Sequence, residues 1–200
     1  MVKPTSQQPD FEPLSRSQIL IAMGITAVIL LVVAKVWLRL DSTPQVPIQL
    51  NIPDVLWGIS LGLGITGCSA LLYQFWPRYQ QSADIYLQLI LKPLEWPDLF
   101  WLGVLPGLSE ELLFRGVMLP SLGLNWTGLA ASSICFGILH MSSPQQWPYV
   151  LWASIVGFAL GYSTLVTHNL MVPVIAHILT NVLSSTTWKW RYQRQSASSS

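Results

Sequence analysis

The stretch Ser109-Glu110-Glu111-Leu112-Leu113-Phe114-Arg115-Gly116 decides how the chain folds, because it places three ionisable side chains inside an apolar run. That run, Leu99–Leu119, is otherwise apolar enough to be buried in a membrane. A charged side chain at the centre of a bilayer costs several kcal/mol, so such groups usually face a helix-bundle interior or a water-filled cavity. We therefore expect the chemistry of this protein to centre on this stretch.

The overall composition is that of a membrane protein. The 200 residues are 52% hydrophobic and 10% charged, whereas soluble domains carry about 25% charged residues. The mean hydropathy is +0.48. The net charge of +1, with its basic residues scattered, argues against nucleic acid as a partner. Cys68 and Cys135 both lie in apolar runs, so we expect them to pack as small apolar side chains.

Six apolar segments predict six transmembrane helices, and hence an all-α, polytopic membrane protein with helices around a polar intramembrane cavity. The predicted spans are Ile19–Leu40, Asp54–Trp76, Asp98–Leu119, Trp126–His140, Trp147–Leu165 and Leu170–Trp188. In the second span, Gly58, Gly62, Gly64 and Gly67 predict a face for close helix packing. The segment Pro77–Pro97 mixes charged and apolar residues, which predicts an amphipathic interfacial helix, either a surface linker or a lid.

This interpretation divides the chain into four parts. They are a polar tail over residues 1–17, two spans plus the amphipathic segment over 18–97, a helical core with the polar motifs over 98–188, and a basic, then serine-rich tail over 189–200. Six spans put both termini on one side of the membrane. That side carries seven basic residues, Lys3, Arg16, Arg78, Lys92, Lys189, Arg191 and Arg194, against Lys35 and Arg39 opposite. The positive-inside rule therefore predicts that both termini are cytoplasmic.

Helical geometry separates the two glutamates of the opening stretch. At about 100° per residue, Glu111 and Arg115 share one face, whereas Glu110 points about 100° away from Glu111. We expect Arg115 to neutralise and orient Glu111, which leaves Glu110 facing a cavity as a general acid or base. The alternative is a buried ion-pair cluster that only fixes the helix register.

Two further polar elements lie on other apolar segments. The run Phe136-Gly137-Ile138-Leu139-His140 ends the fourth predicted span, where a histidine serves either catalysis or simple helix capping. His177 and Asn181 lie four residues apart in the sixth span, so both project from one helical face. They form either part of a reactive site or an interhelical hydrogen-bond clamp.

Taken in order, the motifs Glu-Glu-x-x-x-Arg, Phe-x-x-x-His and His-x-x-x-Asn resemble those of the CAAX protease and bacteriocin-processing family, also called Abi. The resemblance covers about Asp98–Thr187. Within the family, the chain resembles enzymes of the CAAX prenyl protease 2 type. It implies an intramembrane endopeptidase whose substrate is a membrane-anchored or lipidated protein. It also implies that Glu111 and Arg115 hold the first helix of the site in place.

The resemblance implies further that Glu110 and His140 activate the hydrolytic water, while His177 and Asn181 bind the developing oxyanion. These roles agree with what the residues alone predict, namely a free carboxylate, a histidine that can transfer protons and a pair of hydrogen-bond donors. The predicted spans raise one difficulty. His140 falls near the cytoplasmic end of the fourth span and His177 near the opposite end of the sixth, so the cavity must be deep or the boundaries shifted.

The cofactor is left open by these motifs. Enzymes of this family are often called metalloproteases, and Glu110, His140 and His177 form the His₂Glu set that is typical of catalytic zinc. However, the sequence contains no His-Glu-x-x-His pair, and Asn181 is a poor zinc ligand but a good amide donor. The sequence therefore favours metal-free activation of water over a zinc site.

Two other classes of function compete with a protease. Glutamates, an arginine and histidines inside membrane spans also build proton relays in transporters, but the two halves of this chain show no inverted repeat. A non-catalytic scaffold would use the same cavity to bind a lipidated or amphipathic partner. Cleavage that depends on Glu110 would distinguish the protease from both.

Overall fold

The computed structural model describes residues 14–198, and every regular element in that range is helical. The elements are α1 (Arg16–Leu40), α2 (Ile52–Phe75), α3 (Pro77–Leu91), α4 (Asp98–Glu111), a π-helix (Leu112–Met118), α5 (Leu119–Leu122), α6 (Trp126–Ile138), a 3₁₀ turn (Pro144–Gln146), α7 (Trp147–Thr167) and α8 (Met171–Ser198). The predicted all-α class is thereby confirmed. The predicted polar tail over residues 1–17 lies mostly outside the described residues.

Three segments of the described chain are long and apolar enough to cross a membrane, namely Arg16–Leu40, Ile52–Phe75 and Pro144–Thr167. They correspond to the first, second and fifth predicted spans. On α1, Ile21 and Val28 are each 60% exposed, and exposed apolar faces of this kind are typical of membrane contact. The remaining segments are interrupted by charges or are short, as is α6 with 13 residues. The count of six spans therefore stays a prediction.

The segment that carries the opening motif is not a uniform α-helix. After α4 the backbone forms the π-helix Leu112–Met118, a rare geometry that often occurs at functional sites. The helical run ends at Leu122 rather than at the predicted Leu119, so Pro120 does not end it. It ends where Gly123 adopts a φ of 104°, a conformation that glycine reaches without steric cost.

The last helix is longer than predicted. It continues past Trp188 to Ser198, so residues 189–198 are helical. The rings of Trp188 and Tyr192, one helical turn apart, stack with centroids 5.1 Å apart. The Arg194 guanidinium lies 3.6 Å from the centroid of the Trp190 ring. Such neighbouring contacts stabilise a helix surface.

Small residues let α2 and α4 pack closely on α8. A Cβ added to Gly58 or Gly62 of α2 would lie 2.9 Å from a backbone oxygen of α8. A Cβ added to Gly103 of α4 would lie 3.0 Å from another backbone oxygen of that helix. Gly64 and Gly67 have no such neighbour within 4 Å, so the predicted packing face consists of Gly58 and Gly62 alone. Through these contacts α8 packs directly against both α2 and α4.

The predicted amphipathic segment Pro77–Pro97 forms α3 and a turn into α4. Helix α3 packs against α2, α7 and α8. Its carboxyl end is held by the buried Lys189, whose Nζ donates hydrogen bonds to the backbone oxygens of Leu91 and Leu94. A lysine at this position satisfies carbonyls that a helix end otherwise leaves unpaired.

Candidate active site

Glu111 is fully buried and lies at the centre of a hydrogen-bonded network. Its Oε1 accepts a hydrogen bond from Arg115 Nη1 at 2.8 Å and lies 2.7 Å from His177 Nδ1. Arg115 Nη2 donates to the backbone oxygen of Gly157 at 2.9 Å, and its guanidinium lies 4.3 Å from the centroid of the Phe136 ring. The ion pair between Glu111 and Arg115 is the predicted one, whereas the contacts to His177 and Gly157 were not predicted.

Glu110 faces a different environment from its neighbour. Its Oε2 lies 3.8 Å from His140 Nε2 and 4.0 Å from His177 Nε2. These separations exceed those of direct hydrogen bonds. The same oxygen is buried, and it has no hydrogen-bond partner among the described residues. Glu110 therefore presents an unsatisfied carboxylate oxygen to two imidazole rings, at a distance that leaves room for a small bridging group.

The partners of the two Nδ1 atoms fix the orientation of both imidazoles. His140 Nδ1 lies 2.8 Å from the backbone oxygen of Phe136, and a carbonyl oxygen can only accept a hydrogen bond. The Nδ1 of His177 likewise meets a carboxylate oxygen of Glu111. In the neutral state of each ring, the proton therefore resides on Nδ1, and Nε2 directs a lone pair toward Glu110.

The short length of α6 explains how His140 and His177 reach the same carboxylate. Helix α6 has 13 residues, which is about 20 Å at 1.5 Å per residue, whereas the hydrocarbon core of a bilayer is about 30 Å thick. His140 lies in the turn just after this helix. The predicted separation of the two histidines arose from placing His140 at the end of a full crossing, whereas α6 alone ends about 10 Å short of one, and the turn with His140 begins there.

One cavity of about 230 Å³ is lined by all four residues to which the sequence assigned catalytic roles, namely Glu110, His140, His177 and Asn181. An aromatic cluster from α3 and α7, Tyr79, Tyr86, Tyr149 and Trp152, lines the same cavity. The rings of Tyr86 and Tyr149 stack with centroids 4.9 Å apart. Burial raises the pKa of Tyr86 to about 12, so its hydroxyl stays protonated at neutral pH.

No sequence motif indicates this cluster, because its rings come from two distant segments. The mixture of apolar and charged residues in α3 was the one available signal. Helix α3 thus forms part of the wall of the cavity, and its role as a lid or as a surface linker stays a prediction.

A zinc ion does not fit the candidate donors as they stand. Among residues 14–198, no group of three or more His, Cys, Asp or Glu side chains has an arrangement that could hold a metal ion. Ligands of a tetrahedral zinc with bonds of about 2.0–2.1 Å lie about 3.4 Å apart. The distances from Glu110 Oε2 to His140 and His177 are 3.8 and 4.0 Å. We therefore derive no step through a metal.

Comparison with known proteins finds similarity over the segment that carries these residues. Residues 92–183 match the family model described as "Type II CAAX prenyl endopeptidase Rce1-like". The uncharacterized protein YpbD of Bacillus subtilis (strain 168) is 25% identical over 142 residues, which cover 70% of this chain and 72% of that protein. No solved structure matches the chain.

The matched range contains all three motifs, from Glu110 to Asn181. Together with the apolar helices, the match identifies an integral membrane protein. Over residues 92–183, the chain is similar to the Rce1-like family of type II CAAX prenyl endopeptidases.

Proposed function

We propose that the protein is an intramembrane endopeptidase that hydrolyses a peptide bond of a membrane-anchored or lipidated protein. The observation that carries the proposal is the convergence of Glu110, His140 and His177 at the wall of one cavity. The family match supports the class of reaction. The proposal includes six membrane-crossing helical segments around that cavity, with both termini in the cytoplasm.

In the proposed mechanism, the nucleophile is a water molecule held between Glu110 and His140. The 3.8 Å between Glu110 Oε2 and His140 Nε2 leaves room for a water molecule about 2.8 Å from each atom. This water donates one hydrogen bond to each of the two acceptors. As the water oxygen attacks the scissile carbonyl carbon, Glu110 takes a proton. That proton later passes to the amine nitrogen as the carbon–nitrogen bond breaks.

The oxyanion that forms on the scissile carbonyl needs hydrogen-bond donors. Asn181 supplies an amide N–H group from the cavity wall, one helical turn beyond His177. The His177 ring can donate from Nε2 only when both nitrogens carry protons, because Nδ1 already donates to Glu111. The Glu111 carboxylate stabilises that imidazolium. Glu111 is thus proposed as a positioning residue for His177 as well as the partner of Arg115.

Peptide cleavage in proteoliposomes tests the proposal. The purified protein is incubated with a library of apolar peptides, and the products are identified by mass spectrometry. We expect cleavage by the wild type and loss of cleavage in Glu110→Gln. The matched control is Glu95→Gln, since Glu95 is an exposed carboxylate that pairs with Arg16 at 3.1 Å. Equal cleavage by wild type and Glu110→Gln would refute the assignment.

The cofactor is tested in the same assay. For metal-free activation of water, the rate of cleavage stays unchanged after prolonged dialysis against a chelator, and added zinc does not increase it. A rate that falls on dialysis and returns with stoichiometric zinc would instead assign Glu110, His140 and His177 as metal ligands.

A further inference from the structure

A second cavity lies at the end of α2, beside the candidate active-site cavity. Its volume is about 430 Å³, which admits a group much larger than a water molecule of about 30 Å³. Every residue that lines it has a polar or aromatic side chain: Tyr73, Gln74, Gln80, Asp84, Gln88, Trp188, Arg191, Tyr192 and Gln195. Helix α2 is long and apolar enough to cross a membrane, and Tyr73 and Gln74 belong to its last turn. The cavity therefore lies where a crossing helix leaves the hydrocarbon and meets the lipid headgroups.

The cavity holds one acidic and one basic side chain, Asp84 and Arg191, which do not neutralise each other. None of the ion pairs within residues 14–198 includes either of them. Asp84 Oδ1 accepts hydrogen bonds from Tyr73 Oη at 2.7 Å and from Trp188 Nε1 at 3.1 Å. These two bonds fix the carboxylate, and its Oδ2 accepts none from the described part of the chain. Oδ2 is thus an acceptor that is available to a ligand.

Aromatic rings surround the two charges. The Arg191 guanidinium lies 5.7 Å from the centroid of the Tyr73 ring, and the rings of Trp188 and Tyr192 stack beside it in the same lining. Tyrosine and tryptophan rings attract cations and are enriched at membrane interfaces. The cavity therefore offers a guanidinium to an anionic group and a carboxylate with aromatic rings to a cationic group.

Exposed apolar side chains border this polar cavity. Asp84 and Gln88 of α3 line it, and the residues that follow them, Ile85 and Leu89, are exposed. The polar and the apolar stripe are about 100° apart around the helix. Phe75, at the end of α2, is also exposed. A polar cavity with an apolar rim suits an amphiphile whose head fills the cavity and whose chains lie on the rim.

We propose that this cavity binds the headgroup of a zwitterionic phospholipid with a primary amine, of the phosphatidylethanolamine type. Arg191 binds the phosphate through its guanidinium fork. Asp84 Oδ2 accepts a hydrogen bond from the ammonium group, and the acyl chains lie along Ile85 and Leu89. The inference stands without the proposed endopeptidase function, because Glu110 and both site histidines are absent from the lining of this cavity.

The balance of charges favours a zwitterionic headgroup over an anionic one. Recognition of anionic headgroups typically uses clusters of about four to eight basic residues, whereas this lining has one arginine and one aspartate. Asp84 also distinguishes between the two common zwitterionic headgroups. A primary ammonium donates hydrogen bonds to Oδ2, whereas the quaternary ammonium of choline has no N–H group to donate. We therefore expect ethanolamine headgroups to bind more tightly than choline headgroups.

Native mass spectrometry of the whole chain tests the proposal by lipid competition. Detergent-solubilised protein is incubated with equal amounts of dioleoyl phosphatidylethanolamine, phosphatidylcholine and phosphatidylglycerol, whose masses differ. We expect one ethanolamine lipid per protein, about 10–100-fold more abundant than the choline lipid, the ratio that one charged hydrogen bond provides. Asp84→Asn should abolish this preference, and Arg191→Gln should lower the binding of both zwitterionic lipids.

The matched controls are Glu95→Gln and Arg194→Gln, because neither side chain lines the cavity. Both variants should keep the preference for the ethanolamine lipid. Equal retention of the three lipids by the wild type, or stronger retention of phosphatidylglycerol, would overturn the proposal. An Asp84→Asn protein that still prefers the ethanolamine lipid would contradict the assigned contact.

Lipids with N-methylated headgroups test the same contact without a change in the protein. Binding should persist for the monomethyl and dimethyl headgroups, which keep an N–H group, and fall about 10–100-fold at the trimethyl headgroup. Unchanged affinity across this series would rule out the hydrogen bond to Asp84. Soluble glycerophosphoethanolamine separates a lipid from a free zwitterion. It should not displace the bound lipid at equal concentration, and displacement there would overturn the lipid assignment.

Discussion

Glu110 and Glu111 are adjacent in the chain, yet they occupy opposite kinds of environment. Glu111 is fully buried and its Oε1 is held by both Arg115 and His177. Glu110 lines a cavity. Its Oε2, like Glu111 Oε2, is buried without a hydrogen-bond partner among the described residues, but no cation or imidazole holds it closer than 3.8 Å. Buried carboxylates are normally paired because an uncompensated charge is costly. The comparison therefore separates a carboxylate that holds the site together from one that is left free to react.

The two histidines extend the same comparison. His140 is anchored through a local bond to the Phe136 backbone oxygen, four residues earlier, whereas His177 is anchored to the buried glutamate on another helix. His177 therefore joins the reactive group to the structural network, and His140 belongs to the reactive group alone.

The largest effect should come from substitutions of these histidines. We expect His140→Gln to reduce the rate of peptide cleavage about 10²–10⁴-fold, the usual contribution of general acid–base catalysis, with little change in stability. His177→Gln should reduce the rate similarly and also lower the free energy of unfolding by about 1–3 kcal/mol, because Glu111 loses a hydrogen-bond partner. Cleavage assays and denaturant titrations in detergent measure both quantities. Equal losses of unfolding free energy in His140→Gln and His177→Gln would contradict the different anchoring of the two histidines.

The next effect concerns the buried ion pair. We expect Glu111→Leu and Arg115→Met each to cost about 3–5 kcal/mol of unfolding free energy, because each single change leaves an uncompensated charge. The double variant should cost clearly less than the sum of the two singles. A double-mutant cycle by equilibrium unfolding measures this coupling. Additive costs would mean that Glu111 and Arg115 do not act as a pair.

The smallest effect tests how tightly the network is packed. A Cβ on Gly157 would lie 3.1 Å from Phe136 Cδ1 and 3.2 Å from Arg115 Nη2. Gly157→Ala should therefore destabilise the protein by about 1–3 kcal/mol through overpacking and weaken the position of Arg115. The control Gly64→Ala introduces a Cβ with no neighbour within 4 Å and should stabilise α2 by about 0.5–1 kcal/mol. Similar midpoints of thermal unfolding for Gly157→Ala and Gly64→Ala would contradict the predicted tight packing around Gly157.

Part of the site followed from sequence because it depends on short-range geometry. The pairing of Glu111 with Arg115 is an i, i+4 relation, and it persists where the α-helix passes into the π-helix. The contact of Glu111 with His177 bridges 66 positions. No local pattern encodes such a contact, because it arises from the packing of α4 on α8.

Other features could not be predicted because the ends of helices are poorly encoded in the sequence. The predicted last helix ended at Trp188, whereas α8 continues to Ser198. The charges that make residues 98–122 chemically interesting also lower their hydropathy, so composition alone cannot identify that segment as a span. The all-helical class, in contrast, followed directly from the long apolar runs.

The most direct test of the division between the two glutamates is the cleavage rate of Glu110→Gln per folded molecule, measured beside Glu111→Gln. We predict that Glu110→Gln loses about 10²–10⁴-fold in rate while its free energy of unfolding does not fall below that of the wild type, because Glu110 Oε2 makes no hydrogen bond that the substitution would remove. In Glu111→Gln the yield of folded protein should fall as well. A Glu110→Gln protein that cleaves at the wild-type rate, or that loses activity only because it unfolds, would contradict the account.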